Sequence, residues 1–137
     1  MVGPIRRAAR ADGGFTMIEL LVVLSLIVIL ASMGMSQYHS SVVYAKESTL
    51  KEDLFRMRDA IDQYYADKGQ YPSTLDSLVS EHYMRAIPTD PFTKSNSTWQ
   101  TVPAEPDSTN PTAEPGVYDV KSGSDQTAMD GTRYSEW

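Results

Sequence analysis

The peptide bond between Gly14 and Phe15 and the carboxylate of Glu19 are the groups in this chain whose placement suggests chemistry. Glu19 is the one charged residue from Phe15 to Met35, a run of about 21 residues that can cross a membrane as a helix. An acidic group inside a membrane is costly unless a cation lies beside it, and no basic residue follows Glu19 before Lys46. Cleavage after Gly14 would create such a cation, the α-amino group of Phe15. If helices pack side by side with a stagger, the amine of one copy neutralises Glu19 of its neighbour, so proteolysis would permit assembly.

The charges that flank the apolar run indicate its orientation. Arg6, Arg7 and Arg10 precede it, whereas Lys46 is the first basic residue after it. The excess of positive charge places the N-terminal side in the cytoplasm and residues from about 37 onward outside. The run is not followed by the small-residue cleavage site of a secretory signal peptide, so it is predicted to stay as a membrane helix.

The segment Gly14-Phe15-Thr16-Met17-Ile18-Glu19-Leu20 resembles the N-terminal signal of prepilins and pseudopilins. This family comprises type IV pilins, competence pilins and the pseudopilins of type II secretion. The resemblance implies that a membrane peptidase cuts between Gly14 and Phe15 and then N-methylates Phe15, and that Glu19 serves in docking between subunits. Two further segments, Gly69 to Pro72 and Tyr83 to Phe92, are similar to the head of the major pseudopilin of type II secretion.

This resemblance implies a structural subunit of a type II secretion pseudopilus, a helical homo-oligomer that also contains other pseudopilins. The filament would grow from an assembly platform in the bacterial inner membrane, lie in the periplasm and support export of folded proteins across the outer membrane. One alternative is a type IV or competence minor pilin whose head binds DNA or a surface. Another is a plain single-span anchor with a binding domain. The sequence has no motif of a catalytic triad, phosphate-binding loop or carboxylate pair, so we expect no enzyme activity.

Composition restricts the partners further. The net charge is −6, and removal of residues 1–14 leaves 9 basic and 17 acidic groups, or −8. Such an acidic chain is a poor nucleic-acid binder, because phosphate binding depends on clustered Lys and Arg. The chain has no cysteine, so disulfides are excluded. His39 and His82 are isolated in sequence, and both are predicted to be surface residues.

The chain is predicted to comprise a leader (1–14), a membrane and assembly helix (15–36) and a periplasmic head (37–137). One helix is expected from Phe15 to about Asp67, with Gly69 as its C-cap, because no proline interrupts residues 16–71. Its outer half carries an apolar stripe with the helical period, formed by Leu50, Leu54, Met57, Ile61 and Tyr64. On the other face we predict three i,i+4 ion pairs, which are Glu47–Lys51, Glu52–Arg56 and Arg58–Asp62.

The head is predicted to be α+β, with short antiparallel strands and a C-terminal loop packed on the long helix in a pilin-like ladle. Ser73 to Asp76 resembles a capping box that opens a short helix, which buries Leu75, Leu78 and Val79. Strands are predicted at 97–102 and 117–120, where β-forming residues alternate or cluster. The proline-rich segment 103–116 between them is predicted to be an exposed loop.

The C-terminal loop carries a metal prediction that depends on the resemblance. In the major pseudopilins a glycine- and aspartate-rich loop in this place binds calcium. The resemblance implies a similar site here, formed by Ser122, Asp125 and Asp130 with backbone carbonyls, which are hard oxygen ligands of the kind calcium prefers. The alternative is a solvated turn in which Asp125 and Asp130 make only local caps.

Overall fold

A computed structural model describes Gly3 and residues 13–106, 108–109 and 114–137 of the chain. Helix α1 spans Met17–Lys68 and helix α2 spans Leu75–Ser80, followed by strands β1 (Gln100–Pro103) and β2 (Val117–Lys121) and a short 3-10 helix (Tyr134–Glu136). The two strands pair antiparallel, with Thr101 opposite Val120. The predicted α+β, pilin-like organisation of a long N-terminal helix and a small head is therefore confirmed.

Within the described residues, α1 is the one helix that is long and apolar enough to cross a membrane. The most apolar part of this helix has no residue buried inside the protein. The chain divides into two compact units between His39 and Ser40. The three arginines that predict the orientation lie outside the described residues. The boundaries of leader, membrane helix and head given above stay predictions.

The predicted apolar stripe of α1 forms one side of the hydrophobic core of the head. All five of its residues are buried, and they divide between two packed clusters. In the first, Leu50, Leu54 and Met57 pack with side chains from the C-terminal half of the chain, including Trp99, Val120 and Tyr134. In the second, Ala60, Ile61 and Tyr64 pack with Leu78 and Val117. Burial of this stripe explains why the helix extends beyond its apolar part, since isolated polar helices are marginal in water.

Gly69 ends α1 as predicted. Its φ angle is +70°, a left-handed conformation that favours glycine, and its N–H donates to the Tyr65 carbonyl at 2.8 Å. A nearby ion pair joins the helix end to the residue after α2, with Lys68 Nζ 2.6 Å from Glu81 Oε2. Their hydrogen bond raises the pKa of Lys68 and lowers that of Glu81.

The cap of α2 lies one residue later than the capping box predicts. Thr74 is the N-cap, with an extended backbone (φ −145°, ψ 163°) and a side chain that accepts from the N–H of Ser77. The Ser73–Asp76 pair is therefore wrong as a capping box, because the chain is still extended at Thr74 and the helix begins at Leu75. Leu78 is fully buried as predicted, whereas Leu75 and Val79 are half-buried.

Strand β1 begins at Gln100, three residues after its predicted start. The preceding backbone is held in a turn, because Ser97 N–H donates to Ser95 Oγ at 3.2 Å and cannot join a strand ladder. The indole Nε1 of Trp99 then donates to the Pro88 carbonyl at 2.8 Å, which ties the proline-rich connector to the sheet. Strand β2 is one residue longer than predicted.

Candidate functional site

The Gly14–Phe15 peptide bond is exposed and lies outside helix α1. Residues 13–16 have no regular secondary structure, and the side chain of Phe15 is 86% exposed. A peptidase needs an accessible backbone, and this junction is exposed immediately before the helix. The structure thus places the predicted cleavage site where it can be reached.

Glu19 lies in the first turn of α1. Its N–H donates to Thr16 Oγ1 at 3.2 Å, and the Thr16 carbonyl accepts from Leu20 N–H at 3.1 Å, so Thr16 acts as the N-cap. The positive end of the helix dipole favours an acidic side chain in this turn. Across the part of the chain that the structure describes, no basic side chain is within salt-bridge distance of Glu19. The described residues thus provide no cation beside Glu19.

The hydroxyl groups of the apolar segment are satisfied by its own backbone. Ser25 Oγ donates to the Leu21 carbonyl and Ser32 Oγ to the Ile29 carbonyl, each at 2.7 Å. Polar groups that bond within their own helix do not require water. Glu19 differs from these hydroxyl groups because, among the described residues, its carboxylate has no hydrogen bond to its own helix.

A second site, missed by the sequence analysis, joins α1 to the C-terminal segment through Glu47. Glu47 is buried, and its Oε1 accepts from the Tyr134 hydroxyl and from Met129 N–H, each at 2.8 Å. The predicted pair with Lys51 is therefore wrong: Lys51 instead lies 4.5 Å from the centre of the Trp137 ring, a cation–π contact. The pKa of Tyr134 is raised to about 12, mainly because the hydroxyl is buried and to a lesser extent because it donates a hydrogen bond to Glu47.

Arg58 continues this attachment further along the same helix. Its Nε donates to Asp119 Oδ1 at 2.6 Å, and its Nη2 donates to the carbonyls of Val120 and Trp137 at 3.0 and 2.9 Å. The predicted Arg58–Asp62 pair is wrong, because the guanidinium points towards β2 and the C-terminal segment. Of the three predicted pairs, Glu52–Arg56 is present, at 2.9 Å on the exposed face.

Asp90 is another buried carboxylate in the described part of the head. It is fully buried and accepts from Phe92 N–H, Thr93 N–H and the Ser122 hydroxyl. The first two bonds form an Asx turn at the Asp-Pro sequence, and the third joins this turn to the C-terminal loop. The sequence contains the turn signal, but nothing in it indicates Ser122 as the partner.

The three predicted calcium ligands differ in accessibility. Ser122 is fully buried, and its hydroxyl donates to Asp90 while accepting from Ser124 N–H at 3.1 Å. Asp125 and Asp130 are exposed, and Thr132 donates to Asp130 through both its N–H and its hydroxyl, which lowers the pKa of Asp130. Among the described residues no three acidic or histidine side chains form a group that could hold a metal. Ser122 in this conformation does not fit a site shared with the two exposed aspartates, and calcium binding stays a prediction.

The two histidines have no metal-ligand partners among the described residues, and both are exposed. His82 has a φ of 65° and its N–H donates to the Val79 carbonyl, so it closes the turn after α2. The prediction of two surface residues is confirmed.

Comparison with known proteins agrees with these features. Residues 9–35 match the sequence family described as a prokaryotic N-terminal methylation motif. The chain is 32% identical over 99 residues to type II secretion system core protein G of Pseudomonas aeruginosa. This match covers 61% of this chain and 70% of that protein. It is 29% identical over 102 residues to the protein of the same name from Escherichia coli, with 63% and 70% covered.

A shorter match connects the chain to a pilus protein. The fimbrial protein EcpC of Eikenella corrodens is 35% identical over 60 residues, which cover 44% of this chain and 39% of that protein. No solved structure matches the chain.

Proposed function

The chain belongs to the family of type II secretion system core protein G, and on that premise we propose that its assembly into a pseudopilus supports export of folded proteins across the outer membrane. Membership makes the chain a pseudopilin, a structural subunit and not an enzyme. Its partners would be further copies of itself, other pseudopilins, a prepilin peptidase that also methylates, and an assembly platform in the inner membrane.

The observation that carries this proposal is the geometry at the start of α1. An exposed junction, Gly14–Phe15, precedes a capped apolar helix whose first turn holds Glu19 without a basic partner among the described residues. Cleavage at the junction supplies the missing cation, and a neighbouring copy presents it. The apolar side chains in the N-terminal part of α1, which are not buried inside the protein, would then pack against those of other copies.

Co-expression of the full chain with a prepilin peptidase tests the processing step. The mature protein should begin at Phe15, and its mass should equal that of residues 15–137 plus one methyl group. An N-terminus at Met1 would contradict processing and favour a plain membrane anchor.

Glu19→Ala tests the assembly step. The variant should be inserted and cut normally but should not form filaments, because the Phe15 amine of a neighbour would have no carboxylate to pair with. Ser25→Ala is the control in the same segment, since its hydroxyl bonds only to its own helix. Filaments of Glu19→Ala at normal yield would refute the docking role.

Deletion of the gene in the native host distinguishes the two filament classes. Loss of secreted proteins with intact twitching and DNA uptake would support the secretion role. A second candidate function is that of a type IV or competence minor pilin. The match to a fimbrial protein, which covers 44% of this chain, supports it. Normal secretion with lost motility or uptake would establish that alternative.

Calcium binding by the C-terminal loop is a separate proposal. Asp125 and Asp130 are the predicted ligands open to solvent, and Ser122 could join them only after its bond to Asp90 breaks. Melting of a fragment from Ser41 should then shift to higher temperature with calcium and return with chelator, because a ligand of the native state raises Tm. An unchanged Tm at millimolar calcium would refute the proposal.

A further inference from the structure

Phe55 is a large apolar side chain on the outer face of α1 that the fold of the head does not use. It is 67% exposed, whereas its neighbour Leu54 is buried in the core. Beside it lies a groove of about 450 Å³ between α1 and the connector that follows α2. We call this the Phe55 groove. Its apolar lining comprises Phe55, Ala60, Met84 and Ala86.

Charged and polar side chains surround this apolar lining. Glu52 and Arg56 form an ion pair at 2.9 Å, and Gln63 donates to Asp59 at 2.7 Å, so the α1 wall of the groove is held in place. The exposed Arg85 lies on the opposite wall. An apolar centre with a polar rim is the usual organisation of a protein–protein contact surface.

The charge of the groove restricts what it can bind. The processed chain has a net charge of −8, so most of its surface repels another copy. The groove is lined by two acidic residues, Glu52 and Asp59, and by two basic residues, Arg56 and Arg85. This balance makes the local repulsion of an acidic partner weaker at the groove than over the rest of the surface.

A second exposed aromatic residue extends this face of the helix. Tyr44 is also 67% exposed and lies 11 residues before Phe55. At about 3.6 residues per turn this separation is close to three full turns, so both rings project from the same side of α1. A partner that lies along α1 would contact both.

We propose that the Phe55 groove is a contact surface for a second copy of this chain, with Phe55 as its anchor. The inference rests on the proposed function, in which copies assemble along α1, and adds a contact of the head to the contact of the apolar segment. A second copy is itself acidic and long, which suits both the balanced charge of the groove and the extended aromatic face.

Site-specific cross-linking in filaments tests this proposal. Because the chain has no cysteine, a single introduced cysteine is the one site in the chain that a maleimide labels. The full chain with Phe55→Cys is labelled with a benzophenone maleimide, assembled in a host that supplies the peptidase and the secretion machinery, and irradiated. Tyr118→Cys on β2 is the matched control, because Tyr118 is similarly exposed (56%) but lies outside the groove. The expected product from residue 55 has twice the mass of the chain, and its yield should exceed that from the control residue.

The other outcomes each contradict a defined part of the argument. Equal cross-linking from residues 55 and 118 in normal filaments would overturn the groove contact and leave the proposed function intact. A product with the mass of a different protein would overturn the second copy as occupant. Failure of the unmodified chain to form filaments would contradict the proposed function, and the inference with it.

Filament yield gives an independent measure. Phe55→Ala should lower the yield at least about tenfold relative to Phe55→Leu, which keeps an apolar side chain in the groove. Because Phe55 is exposed, neither change should disturb the fold of the head. Equal yields from the two variants would refute the role of Phe55 as an anchor.

Discussion

Tyr134→Phe tests whether the buried Glu47–Tyr134 hydrogen bond holds the C-terminal segment on α1. The substitution removes one hydroxyl group, whose oxygen lies 2.8 Å from Glu47 Oε1. The ring remains and can keep its stacking contact with Phe92 at a centroid distance of 3.9 Å. Hydrogen bonds to charged groups contribute about 1.5–3 kcal/mol, and we expect a loss of this size at pH 7. Met129 N–H still bonds to Glu47, so the carboxylate keeps one donor.

The same residue predicts how stability falls at high pH. In the folded protein the pKa of Tyr134 is raised from 10.0 to about 12. Between these values the unfolded state has lost its proton while the folded state retains it, so stability falls as pH rises. The contribution of Tyr134 is fully present below about pH 10 and decreases by about 1.4 kcal/mol for each pH unit between about pH 10 and about pH 12. By about pH 12 the loss approaches roughly 3 kcal/mol, which is similar to the gain from the bond at pH 7.

Urea unfolding of the 40–137 fragment, which contains both core clusters, is the assay. Wild type should exceed Tyr134→Phe in unfolding free energy at pH 8, and the difference should shrink progressively up to pH 11. The pKa values of Tyr71 and Tyr83 are also raised, but both proteins share them, so their effect cancels in the difference. A difference that stays constant across this range, or is absent at pH 8, would refute the reasoning. Glu52→Gln is the control, because its exposed ion pair should contribute less than about 1 kcal/mol.

Three further predictions concern the contacts that fix the head, all measurable by urea unfolding of the same fragment. Gly123→Ala should destabilise it by about 3 kcal/mol, because the added Cβ would overlap the Thr98 carbonyl oxygen; a loss below about 1 kcal/mol would contradict this close approach. Arg58→Ala should cost about 1.5–3 kcal/mol and Arg56→Ala less than about 1 kcal/mol, since the first arginine bonds to β2 and the C-terminal segment while the second pairs on the surface; similar losses would show that these bonds contribute little. Asp90→Ala should cost at least about 2 kcal/mol, because it leaves the buried Ser122 hydroxyl and two N–H groups without their acceptor; unchanged stability would show that other acceptors replace the carboxylate.

Features that depend on neighbours in sequence were predictable. The apolar stripe of α1 follows from spacings of three and four residues, and its five residues are buried. The end of the helix follows from Gly69, which has the left-handed backbone that glycine adopts readily. The fold class, the two strands and α2 followed from the same local signals, with errors of one to three residues at their ends.

Two predicted ion pairs failed for one physical reason. Glu47–Lys51 and Arg58–Asp62 have favourable i,i+4 spacing, but such exposed pairs contribute only about 0.2–0.5 kcal/mol. Glu47 is buried instead, and the half-buried Arg58 turns towards β2 and the C-terminal segment. A charged group that loses contact with water must find strong partners or lose more free energy than an exposed pair contributes. Their partners, Tyr134 and Asp119, lie 87 and 61 residues away in sequence.

The sequence by itself determined the apolar helix with its single acidic residue and the family, and it predicts the processing junction. The junction and the helix belong to one continuous segment, in which neighbouring residues encode them directly, and the family follows from that segment together with short segments of the head. Only the tertiary structure decided which groups surround the buried carboxylates of Glu47 and Asp90, that Ser122 faces the interior, and that Phe55 stands beside an unfilled groove. Each of these depends on which distant segments fold against α1. The hydrogen-bond donors of a buried carboxylate, for example, come from residues that are close in space but distant in sequence.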